Sequence, residues 1–195
     1  MATMRALRHC LASLMLLTAC TGCSGADDAY GPERVVEARR SEAAAPRGAG
    51  LLRRAMLDGH NRARAAVGVT PLTWSDTLAA HAQAYADQLA ASGRFQHAEQ
   101  PQGPAREGEN LWTGTRDAYA LSEMIGHWVA ERDQFVNLAT PAFSRTGRWE
   151  DVAHYSQIVW RGSRQVGCAI ASNRSDDYLV CRYSPAGNVV GQRAF

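Results

Sequence analysis

His154-Tyr155-Ser156-Gln157-Ile158-Val159-Trp160 is the stretch on which the reading of the fold turns. Tyr, Ile, Val and Trp crowd into it, and such residues favour a pleated, half-buried surface. The run predicts a β-strand whose side chains alternate between faces. His154, Ser156, Ile158 and Trp160 point one way, and Tyr155, Gln157 and Val159 the other. Polar groups at one end and apolar bulk at the other suit a strand that enters a core from the edge of a cleft, with His154 at its mouth. A histidine so placed is either a hydrogen-bonded core residue or part of a site, and the stretch alone leaves both open.

Downstream, Gln165–Ala171 and Tyr178–Tyr183 read as two more strands around the polar turn Ser172-Asn173-Arg174-Ser175-Asp176-Asp177, and so as a hairpin. A turn centred there sets Cys168 roughly opposite Cys181, and a cross-strand disulfide is expected. Upstream the period changes to that of helices. Leu51 to Val67 predicts a helix stopped by Gly68, with Pro71 beyond. Ser75 caps a second helix, with Leu78, Ala82, Tyr85 and Leu89 on one buried face and Gly93 at its end. His81 lies off that stripe and reads as surface. Residues 93–108 form a loop carrying His97, and Gly108-Glu109-Asn110-Leu111-Trp112 leads into a buried element. A third helix is expected from about Thr115 to Phe135, with Leu121, Ile125 and Trp128 buried and Glu131 on the flank of that stripe. Helices first and strands mostly last point to an α+β fold, with helices packed on an antiparallel sheet.

The N-terminus reads as a targeting segment. Arg5 and Arg8 precede a short apolar run from Leu11 to Leu17, too short for a permanent membrane span. Leu17-Thr18-Ala19-Cys20 resembles a lipobox, which makes residues 1–19 a signal peptide and Cys20 a lipidated membrane anchor. Ordinary cleavage near Ser24-Gly25-Ala26 is the alternative, and either route exports the protein to the cell envelope or beyond. Of the five cysteines, Cys10 leaves with the signal and Cys23 is left over. Cys168 and Cys181 pair in an oxidising compartment. Residues 20–50 carry almost no large apolar side chains and read as a flexible tether, with a short helix possible near Glu33–Arg40, so the domain spans 51–195. The chain is 46% hydrophobic and 21% charged, which suits one soluble domain. Without residues 1–19 the basic and acidic residues balance at 19 each, so electrostatics give no case for a nucleic-acid partner.

Four stretches, in order, resemble the motifs of the CAP superfamily, which groups cysteine-rich secretory proteins, insect antigen 5 and plant pathogenesis-related proteins. They are His60-Asn61 with Arg64, Gly108-Glu109-Asn110-Leu111, His154 to Trp160, and Cys181-Arg182-Tyr183-Ser184-Pro185-Ala186-Gly187-Asn188. The resemblance runs from about Leu51 to Phe195. It implies an α-β-α sandwich with a central antiparallel sheet flanked by helices. It also implies a central cleft holding two histidines and two carboxylates, often with a divalent metal. On this sequence those residues are His97, Glu109, Glu131 and His154, while His60 belongs to a structural motif.

Two imidazoles and one or two carboxylates suit zinc or another first-row divalent ion. Without a metal the same four groups can form a hydrogen-bonded network that organises the cleft. Glu123, His127 and Glu131 fall at i, i+4 and i+8 on the third helix, where a solvated face competes with a metal site. No nucleophile elbow surrounds a serine, and both domain cysteines are assigned to the disulfide. The expected function is an exported binding module with a divalent-metal cleft and a lipid, sterol or peptide ligand. The alternative is a metal-dependent hydrolase or peptidase in which Glu109 or Glu131 is the catalytic base.

Overall fold

A computed structural model describes residues 34–35 and 43–195. The expected signal peptide, Cys10, Cys20 and Cys23 lie outside the described residues. Among the described residues four helices, α1 (Ala49–Ala66), α2 (Asp76–Ser92), α3 (Leu121–Ala130) and α4 (Ala153–Ile158), surround a five-stranded sheet. The strands are β1 (Arg34–Val35), β2 (Thr73–Trp74), β3 (Gly108–Thr115), β4 (Gln165–Ser172) and β5 (Asp176–Ser184), in the order β1-β3-β5-β4-β2. The three long strands are antiparallel, as expected, while the two-residue edge strands add in parallel, so the whole sheet is mixed.

Alternation along the long strands builds a core on each face. Leu111, Ala169, Tyr178 and Val180 meet α2 through Ala82, Tyr85, Ala86 and Leu89. Trp112, Val166, Cys168, Leu179, Cys181 and Tyr183 meet Leu52 and Met56 of α1, Met124, Ile125 and Trp128 of α3, and Tyr155 and Ile158 of α4. This is the α-β-α sandwich, with α2 alone on one side. Cys168 and Cys181 are directly opposed on β4 and β5 and form the disulfide. Closing so short a loop is worth about 3 kcal/mol on the chain-entropy account. Among the described residues no helix is long and apolar enough to cross a membrane.

Three expectations are corrected. His154 to Trp160 is not a strand: residues 153–158 are helix α4, entered through a 3-10 turn at Trp149–Val152. From Tyr155 to Trp160 every residue is buried, including Ser156 and Gln157. Tertiary packing on all sides overrides the β-preference of Tyr, Ile, Val and Trp, which reflects a half-buried surface these residues do not meet here. The third helix is shorter than expected, because Gly108–Thr115 pairs with β5 and Asp117 turns the chain at φ 58°. The Glu123 carboxylate then accepts the Ala120 N–H at 2.7 Å to start α3. Third, part of the segment assigned to a tether is fixed. Ala45 N donates to Asp117 O at 2.9 Å, Arg47 Nη2 meets the buried Asp177 Oδ2 at 2.6 Å, and Arg34–Val35 is extended against β3 where a helix was entertained.

The His60-Asn61 motif is a structural joint. His60 is buried, its Nδ1 2.7 Å from Met56 O and its Nε2 2.7 Å from the Tyr183 hydroxyl. A carbonyl can only accept, so Nδ1 carries the proton and Nε2 accepts from Tyr183. Burial, which disfavours a charged ring, lowers the His60 pKa from 6.5 to about 4, outweighing the Met56 hydrogen bond; Arg64 lowers it further. The folded state thus binds this proton less readily than the unfolded chain. The stability it contributes is complete above about pH 6.5, falls as the pH drops towards 4, and changes no further below that. Urea unfolding of the wild type should lose about 3 kcal/mol more between pH 7 and pH 4 than that of His60→Gln. Equal losses in the two proteins would remove His60 from the acid response.

Candidate functional site

The loop after α2 carries His97, and two contacts fix it. Tyr85 donates its hydroxyl to Gln96 O at 2.6 Å, and Ala98 N donates to Glu109 Oε1 at 3.0 Å. Burial foremost, and then the charge of Glu109, pushes the Tyr85 hydroxyl up to about 12, so it stays a donor. Glu109 is the second residue of β3 and faces α2; its side chain is only 5% exposed. Its Oε1 also takes the Nδ1 of His97 at 2.7 Å. Across the sheet, in register with Glu109, stands Arg182 of β5. Its Nη2 pairs with Glu109 Oε2 at 2.8 Å without hydrogen-bond alignment, and its guanidinium lies 5.3 Å over the Tyr85 ring.

The second half of the site comes from the other face. His154 sits in the first turn of α4 and holds Glu131 Oε1 at 2.6 Å through Nδ1. Glu131 Oε2 accepts the Tyr155 N–H at 2.9 Å, so one carboxylate holds both the ring and the start of the helix. Trp128 stacks on the imidazole at 5.8 Å between centroids and 19° between planes. Asn110, next to Glu109, donates to His154 O at 3.1 Å and joins the two halves.

His97, Glu109 and His154 line one cavity of about 220 Å³, with Asn110, Trp149 and Asn188. Glu131 is not on its wall but behind His154. The four predicted residues therefore stand as two His–carboxylate pairs. Among the described residues, no three or more His, Cys, Asp or Glu side chains come together as ligands for one metal ion. Each cavity histidine has Nδ1 turned to a carboxylate. A neutral ring in that state keeps its Nε2 lone pair, the donor set of a two-imidazole metal site with outer-shell carboxylates. The chemistry of these donors fits a divalent ion.

The Glu123, His127 and Glu131 row does not gather. Glu123 caps α3, His127 Nδ1 accepts from Trp112 Nε1 at 2.8 Å, and Glu131 serves His154. Several contributors were not anticipated. His81 pairs with Glu107 at 2.7 Å, and Glu107 Oε2 lies 3.7 Å from Arg182, so a third His–carboxylate pair adjoins that of His97 and Glu109. Only the register of β3 on β5 brings Arg182 to Glu109, and no local spacing signals it. Gln157 is the other omission. It passes between Gly108 and Gly187, where a Cβ on either would lie within 2.8 Å of its amide, and it binds Gly187 N at 2.8 Å and Ser163 Oγ at 3.0 Å. It thereby sets the backbone from which Glu109 and Asn188 project.

The sequence profile of CAP, the cysteine-rich secretory protein family, matches residues 57–183. Pathogenesis-related protein 1C of Nicotiana tabacum is 39% identical over 140 residues, 71% of this chain and 78% of its own length. The PR-1 type pathogenesis-related protein of Sambucus nigra is 37% identical over 140 residues, 71% and 79% of the two chains. Among solved structures, that of NaASP2 with Zn2+ superposes with a TM-score of 0.62 at 23% identity, covering 77% of this chain and 89% of that one. That likeness is one of fold.

Proposed function

The chain belongs to the cysteine-rich secretory protein (CAP) family, and from that premise we propose that it is an exported binding module whose cleft offers His97 and His154 to a divalent ion such as zinc. The observation that carries this reading is the doubled arrangement in which Glu109 and Glu131 hold the two Nδ1 atoms at 2.7 and 2.6 Å. Outer carboxylates of this kind fix the tautomer and orient the ring for a metal. A bound ion would supply Lewis acidity and an open position for a ligand oxygen. The residues of the chain do the rest: Arg182 holds Glu109 in place, Tyr85 holds the His97 loop, and Trp128 packs against the His154 ring.

The same contacts favour binding over hydrolysis. A general base needs a free carboxylate oxygen within reach of a water. Both oxygens of Glu131 and Oε1 of Glu109 are hydrogen-bonded within the protein, and Glu109 Oε2 is buried against the Arg182 guanidinium. Calorimetric titration with zinc chloride tests the reading. Wild type should bind, His97→Ala/His154→Ala should lose binding, and Glu131→Gln should bind about 10–100-fold more weakly. Equal zinc uptake by wild type and the double variant would refute the site.

Export with a lipid anchor on Cys20 is part of the proposal. The intact mass of the mature protein reads it, and an unmodified start near Asp27 would remove the anchor. A lipid or sterol ligand has its own support in the groove of about 450 Å³ between α1 and α3, where Ala55, Ile125 and Val129 give apolar surface and Asp58, Arg62 and Arg132 offer charges for a polar head. Organic extracts of the purified protein that contain no lipid would count against that ligand.

A further inference from the structure

The cavity carries two features that the metal reading does not use. Trp149 lies on its rim with 43% of its surface exposed, while Trp112, Trp128 and Trp160 are almost fully buried. An indole left in solvent at the mouth of a cleft presents a flat apolar face. Asn188 lines the same cavity with a left-handed backbone at φ 53°, a conformation that asparagine adopts more readily than other residues with a side chain. Its Nδ2 is tied to Ala153 O at 2.9 Å, which fixes the amide. Its Oδ1 is shielded from solvent and has no hydrogen-bond partner. A buried acceptor left unmade costs about 1–3 kcal/mol, which a donor from a ligand would recover.

The hollow does not end at His97. His97, Ala98, Gln100 and Glu107 also line a second depression of about 700 Å³, which Gln88 and Gln96 flank. Amide side chains both donate and accept, and here they line a surface with few large apolar residues. Three carboxylates face the trench: Glu107 and Glu109 are paired with Arg182 and hydrogen-bonded to His81 and His97, and Glu99 is the third. A peptide read by its side chains would need apolar pockets that this wall lacks. The cavity beside Trp149 is also smaller than the roughly 300–1,000 Å³ of a drug-sized site.

We propose that this trench binds a saccharide chain, with one sugar ring stacked on Trp149 and a hydroxyl donated to Asn188 Oδ1, and further residues running past His97 along the glutamines. A pyranose has an apolar C–H face for the indole and hydroxyls that donate and accept around its rim. Arg106, at the edge of the same cavity, adds a cation for a carboxylate-bearing sugar. The proposal rests on the reading of this cavity as a ligand cleft, but it does not need the metal.

The test is titration of the mature protein with three probes: an N-acetylglucosamine tetramer, a galacturonate tetramer and tetra-alanine. Each is run with zinc and with EDTA, and followed by the indole N–H signals and by calorimetry. At least one saccharide should bind and shift the Trp149 signal, assigned by its absence in Trp149→Ala. That variant should bind about tenfold more weakly, and Asn188→Ala should weaken binding too. Saccharide binding that persists in the His97→Ala/His154→Ala protein would support a subsite independent of the metal. Zinc uptake with no saccharide binding would overturn this proposal alone. Binding unchanged in Trp149→Ala, or binding of tetra-alanine only, would overturn it as well.

Discussion

Replacing Arg64 with methionine should destabilise the domain by at least about 4 kcal/mol, a large part of the stability a domain of this size possesses. Arg64 is fully buried on α1, and every contact it makes is to a backbone carbonyl. Nε donates to Thr70 O at 2.7 Å, Nη1 to Ile158 O at 2.8 Å and Trp160 O at 2.9 Å, and Nη2 to Ser163 O at 3.0 Å. Ile158 O is one of the orphan carbonyls at the C-terminal end of α4, where a cation also meets the negative end of the helix, and Trp160 O lies in the turn just beyond it. Burial foremost, with Arg164 adding to it, lowers the guanidinium pKa to about 10, so the group remains charged at neutral pH.

Two effects oppose each other in the variant. Removing a buried cation recovers its desolvation cost, which is why buried ion pairs can be exchanged for apolar residues at little loss. Here the partners are main-chain oxygens that cannot be removed with it. Thr70, Ile158 and Ser163 O lose their donor in a site methionine cannot supply with one, at about 1–3 kcal/mol for each that stays unsatisfied, while Trp160 O keeps the Ser163 N–H at 3.1 Å. The second effect wins. Arg64→Lys should fare little better, because a point ammonium cannot reach four acceptors spread across a fork. Scanning calorimetry should show both variants melting at least about 10 °C below wild type. A methionine variant within about 1 kcal/mol of wild type would show that the carbonyls find other partners.

The β4–β5 hairpin and α2 were legible because their signals are local. Ser75 accepts the Leu78 N–H, Gly93 takes the left-handed φ of 67° that ends the helix, and Cys168 falls opposite Cys181 across a polar turn. The His154 stretch misled because the period-2 argument assumes one wet face. In α4 both faces are dry, and Gln157 is accommodated by two glycines from distant parts of the chain and by Ser163 just beyond the stretch. Nothing within seven residues encodes that. The site divides in the same way. Resemblance picked out His97, Glu109, Glu131 and His154, but their grouping into two pairs depends on which face of β3 each neighbour occupies. Glu109 looks towards α2 and Asn110 towards α4, a one-residue alternation that composition cannot reveal. Arg182 and Glu107 stayed invisible for the same reason.

Gly167→Ala is the second substitution expected to have a large effect, about 4 kcal/mol from one methyl group. The backbone at Gly167 has no positive φ, so conformational freedom is not the issue. The issue is close approach. A Cβ there would lie 2.2 Å from Ala79 N, 2.5 Å from Ser75 O and 2.6 Å from the Leu78 carbonyl carbon. All three belong to the backbone at the start of α2, which cannot swing aside as a side-chain tip can. Ala82 and Ala86, both fully buried, continue the same close contact along the helix. To admit the methyl group, α2 must lift from the sheet by roughly 1 Å, opening gaps along an interface packed at crystal-like density. Gly126 provides the control, since it lies mid-helix in α3 with nothing within 4 Å of a Cβ. Gly126→Ala should stabilise by about 0.5–1 kcal/mol. The lift of α2 also reaches the cleft, because Tyr85 rides on that helix and holds the His97 loop through Gln96 O. Gly167→Ala should therefore lower the melting temperature and, in the folded protein that remains at low temperature, weaken zinc binding. A variant that melts with the wild type would mean that α2 rests less tightly on β4 than these distances require.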